Sequence, residues 1–280
     1  MELRVAAYRM RTWLRHQLTA RHTGGHGVHS PSLFELVRMI MMDNNRYYYW
    51  AEIEKLREKL LADERALRFV DYGSGARERG EQRMRQVRAI AGQSLARKKY
   101  ARLLARLVNW LGGKTCGDGN GLNIVELGTS LGVTTAYLAA MDSRNRVLTM
   151  EGCEAVAAVA KENWQSLQIR NIECQVGEID AARLSMALDR VFGAGAKVDL
   201  AYVDASHTCA STRAFFNLLA ERMSEKGVIV VDDIHYNADM EEAWLAICGD
   251  ERVTSTMDLY QMGWVFFDRH YWKRDYKIRI

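Results

Sequence analysis

Short apolar runs and amphipathic segments alternate along the second half of the chain. Five runs have the length and composition of β-strands: 122–127, 146–150, 171–176, 198–203 and 227–232. Apolar residues at helical spacing predict helices between them, at 133–141, 154–167 and 209–223. Strands that alternate with helices build a parallel sheet covered by helices on both faces.

The end of the chain breaks this alternation. Residues 253–260 and 263–268 are two β-rich runs separated only by Gln261 and Met262. Such a short connection can join only antiparallel strands. The pattern therefore predicts an α/β fold in which five parallel strands are closed by a C-terminal antiparallel β-hairpin.

The first 97 residues predict a mostly helical, basic extension. Residues 3–20 have helical periodicity, and their apolar residues share one face: Leu3, Ala7, Met10, Leu14 and Leu18. Further helices are predicted at about 32–42 and 47–62, and one or two more over 81–111. Because no linker marks a boundary, we expect the extension (1–97) to pack against the domain formed by 98–280.

Composition restricts the class of protein. The chain has 280 residues, of which 48% are hydrophobic and 26% charged, as in a globular protein with a sizeable core. No apolar run approaches the ~20 residues of a membrane span, and no signal-peptide pattern is present. The 5 cysteines include no Cys-x-x-Cys pair. We therefore expect no zinc site and no disulfide framework, and a location in the reducing cytoplasm.

Charge is distributed unevenly. Residues 1–106 carry 22 Lys/Arg against 11 Asp/Glu, a net +11, and the remainder carries 17 against 24, a net −7. A basic front half can meet an anionic substrate, nucleic acid or a membrane surface. It can equally dock on the acidic half of the same chain. The charge pattern leaves these alternatives open.

The turn after the first of the five strands carries the most specific signal. The strand ends on Glu126, the turn contains Gly128 and Gly132, and a second strand ends on Glu151. Glycines permit close approach to a ligand, the following helix start offers free N–H groups, and the second acid can bind both ribose hydroxyls. The spacing predicts a nucleoside-binding βαβ unit.

The same turn restricts the class of nucleoside-containing ligand. No Gly-Lys-Ser/Thr follows it, and it lacks the full Gly-x-Gly-x-x-Gly of dinucleotide binders. An acid at the end of the first strand suits a cofactor with an amino group and no pyrophosphate, which favours S-adenosylmethionine over NAD. A second glycine-rich turn at 69–76 has neither a suitable helix nor a spaced acid after it, so we interpret it as a surface turn or a loop over the active site.

Acidic residues follow two other predicted strands. Asp204 follows one, and Asp232 and Asp233 follow the next. Ligands of open α/β sheets bind at the carboxyl ends of strands, and clustered carboxylates suit a hard cation such as Mg²⁺. The alternative is that the aspartates only cap their strands. His207 and His235 are candidates for removing a proton from a substrate hydroxyl.

Residues 98–268 resemble the catechol O-methyltransferase group of class I S-adenosylmethionine-dependent methyltransferases. The resemblance is carried by 99–104, before the first strand, and by three cofactor motifs at 125–132, 147–152 and 175–178. It implies a Rossmann-like fold and a set of cofactor-binding residues: Glu126, Gly128, Thr129, Ser130, Gly132, Thr134, Glu151, Gly177, Glu178 and Asp204. It also implies Asp204, Asp232 and Asp233 as metal ligands.

One position departs from that group. Catechol methyltransferases place a lysine base where this chain has His207. The Asp-x-x-His motif is more similar to that of the macrocin-type methyltransferases, which act on sugar hydroxyls. The resemblance therefore does not identify the acceptor substrate. Parts of the extension, at 29–34 and 71–75, resemble an uncharacterised branch of bacterial methyltransferases.

The sequence thus predicts an S-adenosylmethionine-dependent O-methyltransferase, assisted by Mg²⁺ or a similar ion, that acts on a small-molecule hydroxyl. Asp204, His207 and His235 are its candidate catalytic residues. A nucleic-acid methyltransferase is the alternative enzyme, but no Asn/Asp-Pro-Pro-Tyr/Phe motif and no RNA-binding module supports it. A non-catalytic cofactor-binding interaction protein is the third hypothesis, and the aspartate cluster argues against it. A homodimer is compatible with all three.

Overall fold

A computed structural model describes residues 2–43, 45, 47–71, 80–115 and 121–280. The helices are α1 (Glu2–Thr19), α2 (Pro31–Leu36), α3 (Tyr48–Ala62), α4 (Val87–Ser94), α5 (Lys98–Thr115), α6 (Val133–Ala139), α7 (Glu154–Ser166), α8 (Ala181–Phe192), α9 (Cys209–Arg222) and α10 (Ala238–Gly249). The strands are β1 (Ala66–Asp71), β2 (Glu81–Gln86), β3 (Asn123–Leu127), β4 (Arg146–Glu151), β5 (Ile172–Val176), β6 (Val198–Val203), β7 (Met223–Asp232), β8 (Ser255–Asp258), β9 (Met262–Phe266) and β10 (Arg274–Lys277). A 3₁₀ turn (Thr23–Gly25) and a π-helical turn (Val37–Met41) lie among the first helices.

The chain divides into two compact units. The terminal unit comprises Met1–Asp43 with Lys197–Ile280, and the central unit comprises Asn44–Ala196. The first residues of the chain therefore fold with the last ones.

The central unit holds three parallel strands in the order β3-β4-β5. The apolar residues of β3 and β4 are buried on both faces, as parallel strands under helices require; Val125 and Leu148, paired across β3 and β4, are both fully buried. Helix α6 follows β3, and α7 follows β4. Three strands predicted from the sequence are confirmed here to within one or two residues.

The strands of the terminal unit follow the order β10-β8-β9-β7-β6. β6 and β7 are parallel, whereas β9 runs antiparallel to both β7 and β8. The predicted antiparallel closing hairpin is confirmed. β10, parallel to β8 at the edge, was not predicted.

Residues 48–94 share a hydrophobic core with the central strands. Trp50, Ile53 and Ile90, from α3 and α4, belong to the same buried cluster as Tyr137 of α6 and Trp164 of α7. Residues 48–94 are thus part of the core of the central unit.

One predicted helix is partly wrong. Residues 81–86 form β2, which pairs antiparallel with β1, and only α4 and α5 are helical within 81–111. Glu, Gln, Arg and Met have good helical propensity, but pairing with the β-rich run 66–71 overrides it. Most of the second glycine-rich turn, from residue 72 onward, lies outside the described residues.

Helix α1 is anchored through its polar side. Thr12 and His16 are buried, and the Thr12 hydroxyl lies 3.3 Å from that of Tyr260. The Tyr260 hydroxyl donates to the backbone oxygen of Arg9 at 2.6 Å. The apolar side of the predicted helix faces away from this contact.

Candidate active site

The glycine-rich turn between β3 and α6 is held against the end of β4. The backbone N–H groups of Gly128 and Thr129 donate to the Met150 oxygen at 3.0 and 3.1 Å. Gly128 and Gly132 have φ values of 98° and 74°, a region that favours glycine. The turn therefore needs its glycines for its conformation.

The end of the turn is also held by α7. The Trp164 indole donates to the Gly132 oxygen at 2.8 Å, and the Asn163 amide donates to the Leu131 oxygen at 2.9 Å. A Cβ added at Gly132 would lie 2.6 Å from the Trp164 indole nitrogen. Sequence reasoning missed Asn163 and Trp164, because nothing in their spacing marks them as partners of the turn.

Glu126 is completely buried at the end of β3. The hydroxyls of Thr135 and Thr149 both donate to its Oε2. Its Oε1 has no hydrogen-bond partner among the described residues. Burial raises the pKa of Glu126 to about 7, and the nearby charge of Glu151 adds to the effect. A buried acceptor without a donor suits the amino group of a ligand.

Glu151 is fixed by backbone donors at the end of β4. Ser130 N–H donates to its Oε2 and Cys153 N–H to its Oε1, both at 2.8 Å. Burial raises the pKa of Glu151, and the backbone hydrogen bonds partly oppose the shift. Each oxygen keeps a further lone pair, so the carboxylate is a rigid bidentate acceptor that suits a ribose diol.

The remaining predicted cofactor residues of the central unit lie on the same segments. Gly177 follows β5, and its N–H donates to the backbone oxygen of Glu151 at 2.8 Å. This contact places neighbouring Glu178 close to the end of β4. Thr129 is buried, with its hydroxyl 2.6 Å from that of Thr149. Thr134 lies half-buried in the first turn of α6. The structure thus brings the cofactor candidates of this unit together, and their role in binding stays a prediction.

Two acids of the terminal unit meet at one tyrosine. The Tyr202 hydroxyl donates to Asp232 Oδ2 at 2.6 Å and lies 3.3 Å from Asp204 Oδ2. Burial raises the pKa of Asp232 well above its usual range, and the charges of Asp204 and Asp233 raise it further. The three acids therefore interact electrostatically, and Tyr202 is a contact that the sequence did not reveal.

Asp233 sits in a strained turn after β7. Its φ is 54°, and its N–H donates to the backbone oxygen of Gln261 at 2.7 Å. The Gln261 amide donates to Asp233 Oδ1. Gln261 thus fixes Asp233 from the connection between β8 and β9.

His207 lies between two of these acids. Its Nε2 is 3.5 Å from Asp204 Oδ1, and its Nδ1 is 4.0 Å from Asp233 Oδ2. The side chain is about one quarter exposed, at 26%. Ser206 and His207 have φ values of 65° and 41°, so the backbone is strained where it presents the imidazole.

A compact group of possible metal ligands in the described residues does not include the three predicted aspartates. Among the described residues, one group offers ligand atoms that all lie within 4.8 Å of one another, and it consists of Glu225, Asp268 and His270. Asp204, Asp232 and Asp233 do not form a group at this distance, and their role as metal ligands stays a prediction.

His235 occupies a different environment. It is buried, its Nε2 lies 3.0 Å from Asp258 Oδ2, and its ring stacks on Tyr260 at 5.3 Å. His16 of α1 contacts the same carboxylate, with Nε2 at 3.3 Å from Asp258 Oδ1. His235 thus belongs to the anchor of α1, whereas His207 is the accessible imidazole, and a catalytic role for either stays a prediction.

Comparison with known proteins identifies the kind of domain that contains these residues. Residues 125–234 match a family described as "Methyltransferase domain". Residues 125–234 therefore carry a methyltransferase domain. The search against curated proteins returned no match.

Solved structures agree with this fold. An O-methyltransferase from Bacillus cereus in complex with SAH superposes with a TM-score of 0.51 at 16% identity, over 80% of this chain and 88% of that one. Cofactor-bound Rv0187 from MTB gives 0.54 at 16% identity, over 85% of this chain and 96% of that one. The predicted Rossmann-like methyltransferase fold with an N-terminal helical part is confirmed. In the described part of the chain, no helix has the length and apolar character needed to cross a membrane.

Proposed function

We propose that this methyltransferase transfers the methyl group of S-adenosylmethionine to a hydroxyl oxygen of a small molecule. The observation that carries the proposal is the pair of carboxylates at the ends of β3 and β4, of which Glu126 is buried and Glu151 half-buried. Glu126 has one oxygen without a donor, and Glu151 is fixed as a bidentate acceptor. An ammonium group and a ribose diol match these two acceptors, and S-adenosylmethionine has both.

Each cofactor residue has a defined role in this proposal. Glu151 binds the ribose hydroxyls, and Glu126 accepts from the amino group. The turn containing Gly128, Ser130 and Gly132 gives the ligand close access to the backbone, and Thr129 and Thr134 border it. Gly177 and Glu178 follow β5 on the side expected for the adenine.

The acceptor chemistry rests on the acids and the imidazole of the terminal unit. When bound, S-adenosylmethionine supplies an electrophilic methyl group on a sulfonium centre. His207 takes the proton from the acceptor hydroxyl as the new C–O bond forms and the C–S bond breaks. Asp204, 3.5 Å from the imidazole, orients His207 and stabilises its protonated form. S-adenosylhomocysteine and the methyl ether are the products.

A divalent ion fits the donors of this unit chemically. Asp204, Asp232 and Asp233 are hard oxygen donors, and burial, together with the negative charges of Asp204 and Asp233, raises the pKa of Asp232. These three side chains would hold Mg²⁺ or a similar ion after a small rearrangement. The ion would supply Lewis acidity that lowers the pKa of the acceptor hydroxyl.

Calorimetry with Mg²⁺ tests the metal separately from the cofactor. Asp233→Ala should lose Mg²⁺ binding and keep S-adenosylhomocysteine binding, and EDTA should abolish methyl transfer until Mg²⁺ is restored. If the unmodified chain binds no divalent ion and EDTA has no effect, the reaction relies on His207 alone.

A panel of hydroxylated acceptors, including catechols and sugars, tests the substrate class by product mass. His207→Gln should lower kcat without weakening S-adenosylhomocysteine binding. Transfer to nitrogen or to nucleic acid instead would contradict the proposed acceptor.

A further inference from the structure

Helix α1 exposes a continuous apolar stripe. Met10, Trp13, Leu14 and Leu18 are 61%, 44%, 49% and 84% exposed. Their spacing of three and four residues, continued by Ala6, places them on one face of the helix. Water thus covers an apolar stripe about three turns long, which is uncommon on a surface helix.

The helix cannot rotate to bury this stripe without losing its anchor. On its opposite side Tyr8 donates to Glu241, and His16 Nε2 donates to the Asp258 backbone oxygen at 3.1 Å. His16 and Asp258 are both buried, so breaking these contacts would leave polar groups unpaired. The polar side of α1 therefore faces the protein, and the apolar side is held outward.

Arginines border the stripe on both edges. At 100° per residue, Arg11 lies on one edge and Arg9 on the other, whereas Arg15 lies further round the helix and pairs with Glu241. The helix has four arginines and a single glutamate, and exposed Arg21 follows its end. Ala6, Arg9, Met10 and Trp13 line a shallow open groove of about 470 Å³. An apolar face with basic edges and an exposed tryptophan has the chemistry of a helix lying in a membrane interface.

We propose that α1 docks this protein on an anionic lipid surface. The apolar stripe would enter the boundary between headgroups and acyl chains, and the arginines would meet lipid phosphates and carboxylates. Charge decides against a second copy of the chain, because two such stripes packed together would bring arginines onto arginines. Nucleic acid would attract the arginines but leave the apolar stripe in water.

Sedimentation with lipid vesicles tests the proposal. The full chain should bind vesicles that contain phosphatidylserine, bind phosphatidylcholine vesicles much more weakly, and dissociate as the salt concentration rises. The fluorescence of Trp13, isolated by comparison with Trp13→Phe, should shift to the blue on binding.

Variants separate the apolar contribution from the charge. Leu14→Gln with Leu18→Gln should weaken vesicle binding at least about tenfold, since two leucines no longer leave water. Arg11→Gln with Arg21→Gln should weaken it and reduce its salt dependence. Leu245→Gln is the matched control, because Leu245 on α10 is 63% exposed but lies outside α1. All variants should keep the thermal midpoint and the S-adenosylhomocysteine affinity of the unmodified chain.

Three results would overturn the proposal. The first is no binding to phosphatidylserine vesicles, and the second is binding that Leu14→Gln with Leu18→Gln leaves unchanged. The third is a dimer in sedimentation velocity that this double variant dissociates, with no vesicle binding, which would assign the stripe to a second copy.

Discussion

At the scale of single residues, Glu126 shows how burial changes the pKa of a carboxyl group. Its two threonine donors bind one oxygen, and the other has no donor among the described residues. Its pKa of about 7 in the folded chain exceeds the value of about 4.3 expected in the unfolded chain. The folded state therefore binds this proton more tightly than the unfolded state does.

That difference predicts a pH-dependent stability. The contribution of Glu126 is fully present below about pH 4 and is lost as the pH rises through about 7. Glu126→Gln removes the charge, so at pH 8 the variant should be more stable than the unmodified chain by about 2–4 kcal/mol, and near pH 4 the two should be equal. Urea denaturation at both pH values measures this. An equal difference at the two pH values would contradict the assigned ionisation.

Gly132 permits a second prediction for a single residue. Gly132→Ala adds a methyl group against Trp164 at a φ of 74°, so unfolding free energy should fall by about 2–4 kcal/mol. Gly112→Ala, in α5 with nothing within 4 Å, should instead stabilise by about 0.5–1 kcal/mol. Thermal denaturation of both variants compares them, and equal effects would show that Trp164 does not restrict the turn.

At the scale of elements, α1 is held by the buried carboxylate of Asp258. Burial alone would raise the pKa of Asp258, but hydrogen bonds from His16 and His235 outweigh it and hold the pKa far below its usual range. Asp258→Asn should therefore destabilise the chain at pH 7 by about 2–4 kcal/mol. The difference in unfolding free energy between the two chains should shrink as the pH falls below about 4. The stabilisation by ionised Asp258 is lost in that direction, because its carboxylate becomes protonated. Denaturant midpoints of both chains across this pH range measure the difference. A difference that does not change with pH would contradict the stabilising role of ionised Asp258.

The sequence predicted the elements whose pattern is decided locally. β3, β4 and β7 are apolar runs that end on acids, and their burial on both faces leaves little ambiguity. α8, α10 and β10 were not predicted, and β2 was taken for helix because its long polar side chains favour one. The same limit applies to the site: the positions of Glu126 and Glu151 follow from strand ends, whereas Tyr202, Gln261 and Trp164 depend on tertiary packing.

At the scale of the whole molecule, the boundary proposed near residue 97 can be tested by deletion. Trp50, Ile53 and Ile90 contribute to the core that also contains Tyr137 and Trp164. A fragment containing only 98–280 would expose this core and should neither fold cooperatively nor bind S-adenosylhomocysteine. Circular dichroism during thermal melting checks the first expectation.

Cleavage near exposed Arg97 provides the control. The cut chain keeps every core contact, and Arg102 on one piece donates to Glu54 Oε1 on the other at 2.8 Å. Its two pieces should therefore stay associated in gel filtration. A folded, active 98–280 fragment would instead show that residues 1–97 form an independent extension.

The most direct test of the account is the affinity for S-adenosylhomocysteine, measured by calorimetry. Glu151→Ala removes a half-buried bidentate acceptor and should weaken binding at least about tenfold, because such a loss costs about 1.5–3 kcal/mol. Glu154→Ala, which removes an exposed glutamate three residues later, should leave the affinity unchanged. If Glu151→Ala folds normally and binds as tightly as the unmodified chain, or if NAD binds more tightly than S-adenosylhomocysteine, the proposed cofactor site is wrong.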